Sequence, residues 1–211
     1  MSTLTTLRAS LRQDLHDEDS ANYRWTDAVL ARHIQRALER YQHEWPVETD
    51  GSITPAAAAV RFATSSLTGL LWVEKVWYPY DTAAEPVWIP FAERGGFVYR
   101  TEEDESFDGA SAARVFYAKA HTVDTNGSTI PVEHEHVVLT GATAAALADV
   151  MIRSTNVVNL SRFTPRELRA LWEAKQREFE AQLDDLRRLR IARGDGRVTW
   201  QFEDSTGRDI E

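Results

Sequence analysis

The stretch from Trp25 to Trp45, WTDAVLARHIQRALERYQHEW, constrains the fold more than any other part of the sequence. Its apolar residues recur every three or four positions and so share one face of a helix: Leu30, Ile34, Ala37, Leu38, Tyr41 and Trp45. Thr26 or Asp27 can accept a hydrogen bond from the unpaired backbone N–H groups of the first turn. Pro46 cannot continue a helix. The sequence therefore predicts an amphipathic helix that ends at Pro46.

A second, shorter leucine pattern precedes this helix. Four leucines at helical spacing share one stripe: Leu4, Leu7, Leu11 and Leu15. The polar segment DEDSAN separates the two patterns. Two amphipathic helices joined by a short polar link most simply form a helical hairpin, in which each helix buries its stripe against the other.

Composition limits the classes of protein that this chain can belong to. Acidic side chains outnumber basic ones by 33 to 24, giving a formal charge of −9, which argues against a nucleic-acid coat. Cysteine is absent, which excludes disulfides, thiolate metal sites and a cysteine nucleophile. The N-terminus lacks the pattern of a signal peptide, and no window approaches roughly 18 uninterrupted apolar residues. We therefore expect no membrane partner.

Residues 50–131 have a different character. Short aromatic and β-branched runs alternate with Gly, Pro and acidic clusters: LLWVEKVWYPY, PVWIPF, GGFVYR and ARVFYAKAHTV. This pattern predicts a β-rich region of about four to six strands. In LLWVEKVW, strict alternation would place Trp72, Glu74 and Val76 on one face and the residues between them on the other. The acidic segment Thr101–Gly109 is predicted to be an exposed, mobile loop.

Two further helices are predicted in the C-terminal part. Small residues dominate His136 to Ile152, with one glycine and five alanines, which favours a core helix lying close against the first hairpin. Thr164, Pro165 and Glu167 form a capping box that starts a helix of about 27 residues, or roughly 40 Å. Its apolar side carries Leu168, Trp172, Phe179, Leu183, Leu186 and Leu189. The other sides carry charges of both signs, so we expect this helix outside a bundle or against another subunit.

No sequence motif points to an enzyme. Glu133-His134-Glu135-His136 is the only cluster that suggests metal or acid–base chemistry, and a solvated helix start explains it more simply. HExxH, P-loop and GxSxG patterns are absent. We therefore expect no catalytic, cofactor-binding or metal-ligating residue. A metal-dependent enzyme built on His134 and His136 is kept as an alternative.

The end of the long helix is rich in arginine. The cluster comprises Arg187, Arg188, Arg190, Arg193 and Arg197. One interpretation is favourable placement of cations at a helix C-terminus. The other is contact with an acidic partner surface or with DNA. The acidity of the whole chain favours a protein partner over sequence-specific DNA binding.

The first helices resemble the start of head–tail connector proteins of tailed bacteriophages, also called adaptor or head-completion proteins. The likeness lies in Tyr-Arg-Trp-Thr-Asp-Ala-x-Leu, with Ala37 and Leu38 following. The motif residues are Tyr23, Arg24, Trp25, Thr26, Asp27 and Leu30. A second likeness comes from ARVFYAKAHTVD followed by STIPVEHEHVVLTGATAAALADV. Residues 4–46 and 113–153 are covered, whereas the β-rich middle departs from compact members of the family.

The resemblance implies a structural protein of the virion neck, assembled in the host cytoplasm. Family members form a ring, usually of twelve subunits, beneath the portal protein. Such a ring extends the DNA channel, through which DNA passes without sequence-specific binding. It also offers a platform for a downstream stopper or tail protein. The C-terminal segment of family members commonly reaches into the portal.

The sequence thus predicts an α+β fold with about four helices, the last one long. Residues 1–49 and 132–193 form one helical bundle, residues 50–131 a β-rich insertion, and residues 194–211 a docking tail ending in a short strand or extended segment. The predicted portal-docking residues are Arg193, Arg197, Val198, Trp200 and Phe202. The predicted inter-subunit residues of the last helix are Arg169, Glu173, Arg177, Glu180, Asp184, Arg187 and Arg188.

A different class of function is also open. The β-rich middle could be a ligand-binding module that uses exposed aromatic side chains. The candidates are Trp72, Trp77, Trp88, Phe91 and Phe97. The simpler interpretation is that these aromatics form the core of the sheet.

Overall fold

The computed structural model describes residues 2–102, 105–154 and 165–193. In this part of the chain, two helices precede six strands and two more helices follow them. The helices are α1 (Leu4–Asp14), α2 (Asp27–Glu44), α3 (Glu135–Ser154, preceded by one 3-10 turn at Val132–His134) and α4 (Pro165–Ala192). The predicted α+β class, with a long last helix, is confirmed.

The strands form two antiparallel sheets of three strands each, in the orders β1-β6-β3 and β2-β5-β4. Their bounds are β1 (Val47–Ile53), β2 (Arg61–Ala63), β3 (Leu70–Trp77), β4 (Phe91–Arg94), β5 (Phe97–Arg100) and β6 (Ala113–Lys119). The inner faces of the two sheets enclose a second core, separate from that of the helices. The last strand, β6, lies in the middle of the first sheet and pairs with both β1 and β3.

The aromatic runs became strands to different extents. LLWVEKVW, FVYR and ARVFYAK are β3, β5 and β6. PVWIPF supplies only the start of β4 and one isolated bridge between Trp88 and Trp77, since its two prolines cannot donate ladder hydrogen bonds. The strand β1, VETDGSI, follows no predicted run because only its two terminal residues are apolar.

The predicted alternation along β3 is wrong. Val73 and Val76 both lie in the core between the sheets, although strict alternation places them on opposite faces. The pairing with β6 shifts register between Val73 and Lys75, as expected of a β-bulge. The extra residue, Glu74, lies at the bulge and moves every later side chain to the other face.

The acidic segment after β5 is not wholly exposed, contrary to prediction. Phe107 is only 1% exposed and packs against the rings of Phe62 and Tyr78, with centroids at 5.6 and 4.8 Å. The Asp108 backbone N–H donates to the Tyr78 hydroxyl at 2.8 Å. One buried aromatic therefore anchors the segment to the core of the sheets.

α3 is the central helix of the bundle and packs against α1, α2 and α4. The predicted packing of this helix against the first hairpin is confirmed by its contacts with α1 and α2. Gly141 instead faces α4, where a Cβ atom would lie 2.7 Å from the ring of Phe179. The stretch Val132–Ile152 has the length and mean hydropathy, 1.3, of a membrane-spanning helix. Half of its most apolar 18 residues are buried in the protein. Its position between the other helices accounts for this apolar character.

A buried guanidinium organises the link between α1 and α2. Arg12 is only 7% exposed, and it donates to Asp17 at 2.5 Å, to Asp27 at 2.9 Å and to the Trp25 carbonyl at 2.9 Å. Its guanidinium also lies 3.6 Å from the ring centroid of Tyr23. The hydrogen bond from Arg12 holds the pKa of Asp27 below its usual range. We call these five residues the Arg12 node.

The remaining residues of the motif start the second helix. Thr26 is the N-cap of α2, and its hydroxyl oxygen accepts from the Val29 N–H at 3.4 Å. Trp25 is 6% exposed and lies in the core of the bundle. The Arg24 backbone N–H donates to Asp17 at 2.7 Å, and this hydrogen bond attaches the link to the Arg12 node.

Replacing Arg12 with leucine is expected to lower the free energy of unfolding by about 3–5 kcal/mol, because it leaves Asp17 buried without its partner. Urea titration of the full chain measures the change. Arg36→Leu on the exposed side of α2 is the matched control and should stay within about 0.5 kcal/mol of the parent. Equal effects of the two substitutions would contradict a central role for the Arg12 node.

Candidate docking and inter-subunit surfaces

α4 presents one apolar side to the bundle and a charged side to solvent. Leu168, Phe179, Leu183 and Leu186 are buried in the core of the helices. Leu189, predicted on the apolar side, is instead 52% exposed. Helix α4 therefore lies along the outside of the bundle, as its charge pattern predicts.

Most of the predicted inter-subunit residues lie on the outward side of α4. The side chain of Arg169 is 70% exposed and binds Glu173 at 2.8 Å, while Arg177 donates to the Glu173 carbonyl at 3.1 Å. The side chain of Arg188 is 79% exposed and lies 3.7 Å from Asp185. Such pairs within one exposed helix contribute only about 0.3–0.5 kcal/mol each. These side chains can therefore exchange partners at little energetic cost.

Two of the predicted inter-subunit residues instead bind α2 of the same chain. Glu180 accepts from Arg40 at 2.6 Å, and this hydrogen bond lowers the pKa of Glu180. Arg187 makes a bidentate contact with Glu44, at 2.7 and 2.8 Å, and the Glu44 carboxylate raises the pKa of Arg187. Asp184 lies beside this contact, 3.1 Å from Arg187. Spacing alone could not reveal that α2 supplies the opposing charges.

The Arg-rich end of α4 is bound to the β1-β6-β3 sheet. Arg190 donates to Glu74 at 2.7 Å, and its guanidinium lies 5.3 Å from the Trp72 ring centroid. The guanidinium of Arg193 lies 4.9 Å from the ring centroid of Trp45. Arg187 and Arg190 therefore hold the helix in place, whereas the exposed Arg193 is available to a partner.

The end of α4 also borders a surface hollow. This hollow, of about 570 Å³, is open to solvent between α2, β3 and α4. It is lined by His43, Glu44, Leu71, Trp72, Arg187, Arg190 and Ile191. The other predicted portal-docking residues, Arg197, Val198, Trp200 and Phe202, lie outside the described residues, as does Thr164 of the predicted capping box.

His134 packs against the C-terminal end of α2. Its Nδ1 lies 2.8 Å from the hydroxyl of Tyr41, and its ring packs edge-on against Trp45 at 5.0 Å. His134 is half-buried, which corrects the predicted solvated helix start, whereas His136 is exposed. Within residues 2–102, 105–154 and 165–193, no group of three or more potential metal-ligating side chains converges.

A second histidine, His121, connects the C-terminal end of α2 with the segment after β6 through hydrogen bonds. Its Nε2–H donates to the Trp45 carbonyl at 2.8 Å, and its Nδ1 lies 3.0 Å from the Thr129 hydroxyl. Burial lowers the pKa of both His121 and His134 and raises that of Tyr41. The cluster therefore carries neutral side chains at neutral pH.

The aromatic side chains of the alternative ligand-binding module have different environments. Trp72 is 8% exposed and stacks on His43, with ring centroids 6.2 Å apart. Trp77, Phe91 and Phe97 are half-buried. Trp88 is 48% exposed and packs against Trp77 and Phe116. The predicted sheet-core assignment therefore does not hold for Trp88.

Acidification should destabilise the chain partly through His121. Its folded-state pKa lies below that of the unfolded chain, so the unfolded chain binds the extra proton and stability falls as the pH drops below about 6.5. His121→Gln keeps a donor for the Trp45 carbonyl and should make stability less pH-dependent. The reduction in slope is at most about 1.4 kcal/mol per pH unit. Urea titrations between pH 7 and 5 measure it, with the exposed His136→Gln as control. An unchanged slope in His121→Gln would contradict the assignment.

Comparisons with known proteins find distant structural similarity. No protein-family model and no curated protein matches the chain. A solved structure described as the neck of an empty GTA particle with C6 symmetry is similar at 10% identity and TM-score 0.32, over 80% of this chain and 87% of that chain. The neck of a native GTA particle with C12 symmetry is similar at 13% identity and TM-score 0.29, over 82% and 89%. Similarity at this level does not establish a shared fold.

Proposed function

We propose that this chain is a structural, non-enzymatic protein of a virion neck. In this proposal it is a head–tail connector that forms a ring of twelve subunits beneath the portal protein. The ring extends the DNA channel and carries a downstream stopper or tail protein. Assembly takes place in the host cytoplasm, and neither a membrane nor a cofactor takes part.

The observation that carries the proposal is the structural role of the residues that resemble connector proteins. Tyr23, Trp25 and Asp27 are members of the Arg12 node, and Thr26 caps α2. These residues build the hairpin on which the bundle is assembled. The resemblance therefore lies in residues that form the link and the first turn of α2.

The outward side of α4 supports lateral packing between identical subunits. It presents charges of both signs, such as Arg169, Glu173 and Arg188, and they are paired only along their own helix. In a ring, a different surface of the neighbouring copy would face this side of α4, and charges of both signs on α4 leave it free to pair with either sign there. The formal charge of −9 also suits a ring through which DNA slides without adhering.

Size measurement tests the proposal directly. The full chain is mixed with its cognate portal protein, and light scattering or mass photometry records the assembly. A ring bound to the portal is expected. Failure to bind portal or assembled heads would refute the proposed function.

Charge reversal on the outward side of α4 should block ring formation without unfolding the subunit. The variant carries Arg169→Glu, Arg177→Glu and Arg188→Glu, and we expect complete loss of rings on the portal with an unchanged urea midpoint. The control, Arg32→Glu, Arg36→Glu and Arg94→Glu, makes the same change of net charge at exposed positions elsewhere. If both variants assemble equally well, α4 is not the inter-subunit surface.

Removal of Val198–Glu211 should abolish portal docking while the remaining chain stays folded. The reason is that Val198, Trp200 and Phe202 form an apolar run suited to strand addition at a partner's sheet edge. Co-sedimentation with portal measures docking, and circular dichroism measures folding. Unchanged docking by the truncated chain would show that the anchor lies elsewhere.

A further inference from the structure

The β1-β6-β3 sheet has an outer face that points away from the core between the sheets. Residues paired across the strands share a face, so the ladder defines three rows on this side. The rows are Glu48-Ala118-Trp72, Asp50-Phe116-Lys75 and Ser52-Arg114-Trp77. The alternate residues, including Val73, Val76, Val115 and Tyr117, face the core.

The helices lie over part of the first row only, at Trp72 and Ala118, while Glu48 in the same row is exposed. The Arg190 guanidinium lies over Trp72, and Ala118 is fully buried. In the other two rows, Lys75 and Ser52 are exposed and Phe116 is only half-buried. Among the described residues, no helix lies over the second and third rows, which we call the uncovered rows, although the Tyr80 and Trp88 side chains pack against part of them.

The uncovered rows carry an aromatic surface. Trp88 packs over this face, 5.6 Å from Phe116 and 6.2 Å from Trp77, and Tyr80 packs 4.7 Å from Trp77. Trp88 remains 48% exposed although it lies among these rings. Solvent-exposed indole on an otherwise ordered aromatic cluster is typical of a surface that a partner covers.

The end of α4 identifies one segment that can reach this surface. Its last residues, Arg190 and Arg193, lie over Trp72 and Trp45, beside the first row. From Arg193, the four residues Gly-Asp-Gly-Arg lead to Val198, and they span at most about 17 Å. Successive rows lie about 7 Å apart, so the second and third rows are within reach. The glycines permit the turn that this path requires.

We propose that the segment Val198–Phe202 packs on the uncovered rows of its own subunit. In an extended conformation, the alternating residues Val198, Trp200 and Phe202 would share one side, which could contact Trp88, Phe116 and Trp77. Glu203 and Asp204 follow this run, and the Lys75 ammonium lies 5.6 Å from the Trp88 ring centroid. Within the described residues no carboxylate forms an ion pair with Lys75, whereas Arg114 is paired with Asp50.

This inference goes beyond the proposed function because it concerns the free subunit and requires no portal. Before assembly, the apolar run would be packed against its own subunit. Failure of the inference would leave ring formation and portal docking untouched. Conversely, a chain that never binds portal could still pack its segment in this way.

Cysteine cross-linking tests the packing, since the chain has no native cysteine. The test variant combines Ser52→Cys, in the third row, with Gln201→Cys, between the two aromatic anchors. Its matched control combines Ser66→Cys with Gln201→Cys. Ser66 is an exposed serine beside Leu67, on the inner-face side of the sheet. The full-length variants react with a short bismaleimide at low protein concentration, and intact mass separates cross-links within one chain from those between chains.

We expect cross-linking within one chain to be at least about tenfold faster for the Ser52 pair than for the Ser66 pair, because packing raises the local concentration. Adding Trp200→Ser and Phe202→Ser to the Ser52 pair should reduce its rate to that of the control. Equal rates for the two pairs would overturn the proposal. Cross-links between chains would overturn it in favour of a segment supplied by a second copy.

Discussion

The charge of Arg12 is the constraint on which the rest of the bundle depends. Removing a guanidinium from water costs several kcal/mol unless its donors are satisfied. Here two carboxylates, one carbonyl and one aromatic ring meet that requirement, and all of them come from α1, the link or the start of α2. These contacts tie the link and the first turn of α2 to α1. α3 packs against both helices of this hairpin.

Local periodicity predicted the helices well because helical contacts repeat every three or four residues along the sequence. The bounds of α2 and the apolar side of α4 follow from such patterns. The β-rich region was predicted less completely because strand pairing is set by distant residues. β1 carries little apolar signal of its own, and it becomes a strand because β6 pairs with it. The bulge at Glu74 depends in the same way on the register with β6.

The candidate surfaces show the same limit. A charged helix can be recognised from sequence, but the partner of each charge cannot. Glu180 and Arg187 looked equivalent to Arg169 and Arg188, yet the first two bind α2 and the last two face solvent. Arg190 could likewise be assigned to the helix end from sequence, but its contact with Glu74 could be recognised only in the folded structure. The sequence therefore identified the charged helix, but it did not reveal which of the charges pair within the chain and which face solvent.

The two ion pairs at the end of α4 respond differently to ionic strength. The Arg187–Glu44 pair is open to solvent, with the arginine side chain 54% exposed, and salt screens it over a Debye length of about 8 Å at physiological ionic strength. The Arg190–Glu74 pair is shielded, with the arginine side chain 11% exposed, and largely escapes that screening. Rising salt therefore weakens the attachment to α2 before the attachment to the sheet. At high ionic strength, the contact of Arg190 with the sheet is therefore the main polar attachment of the last turn of α4.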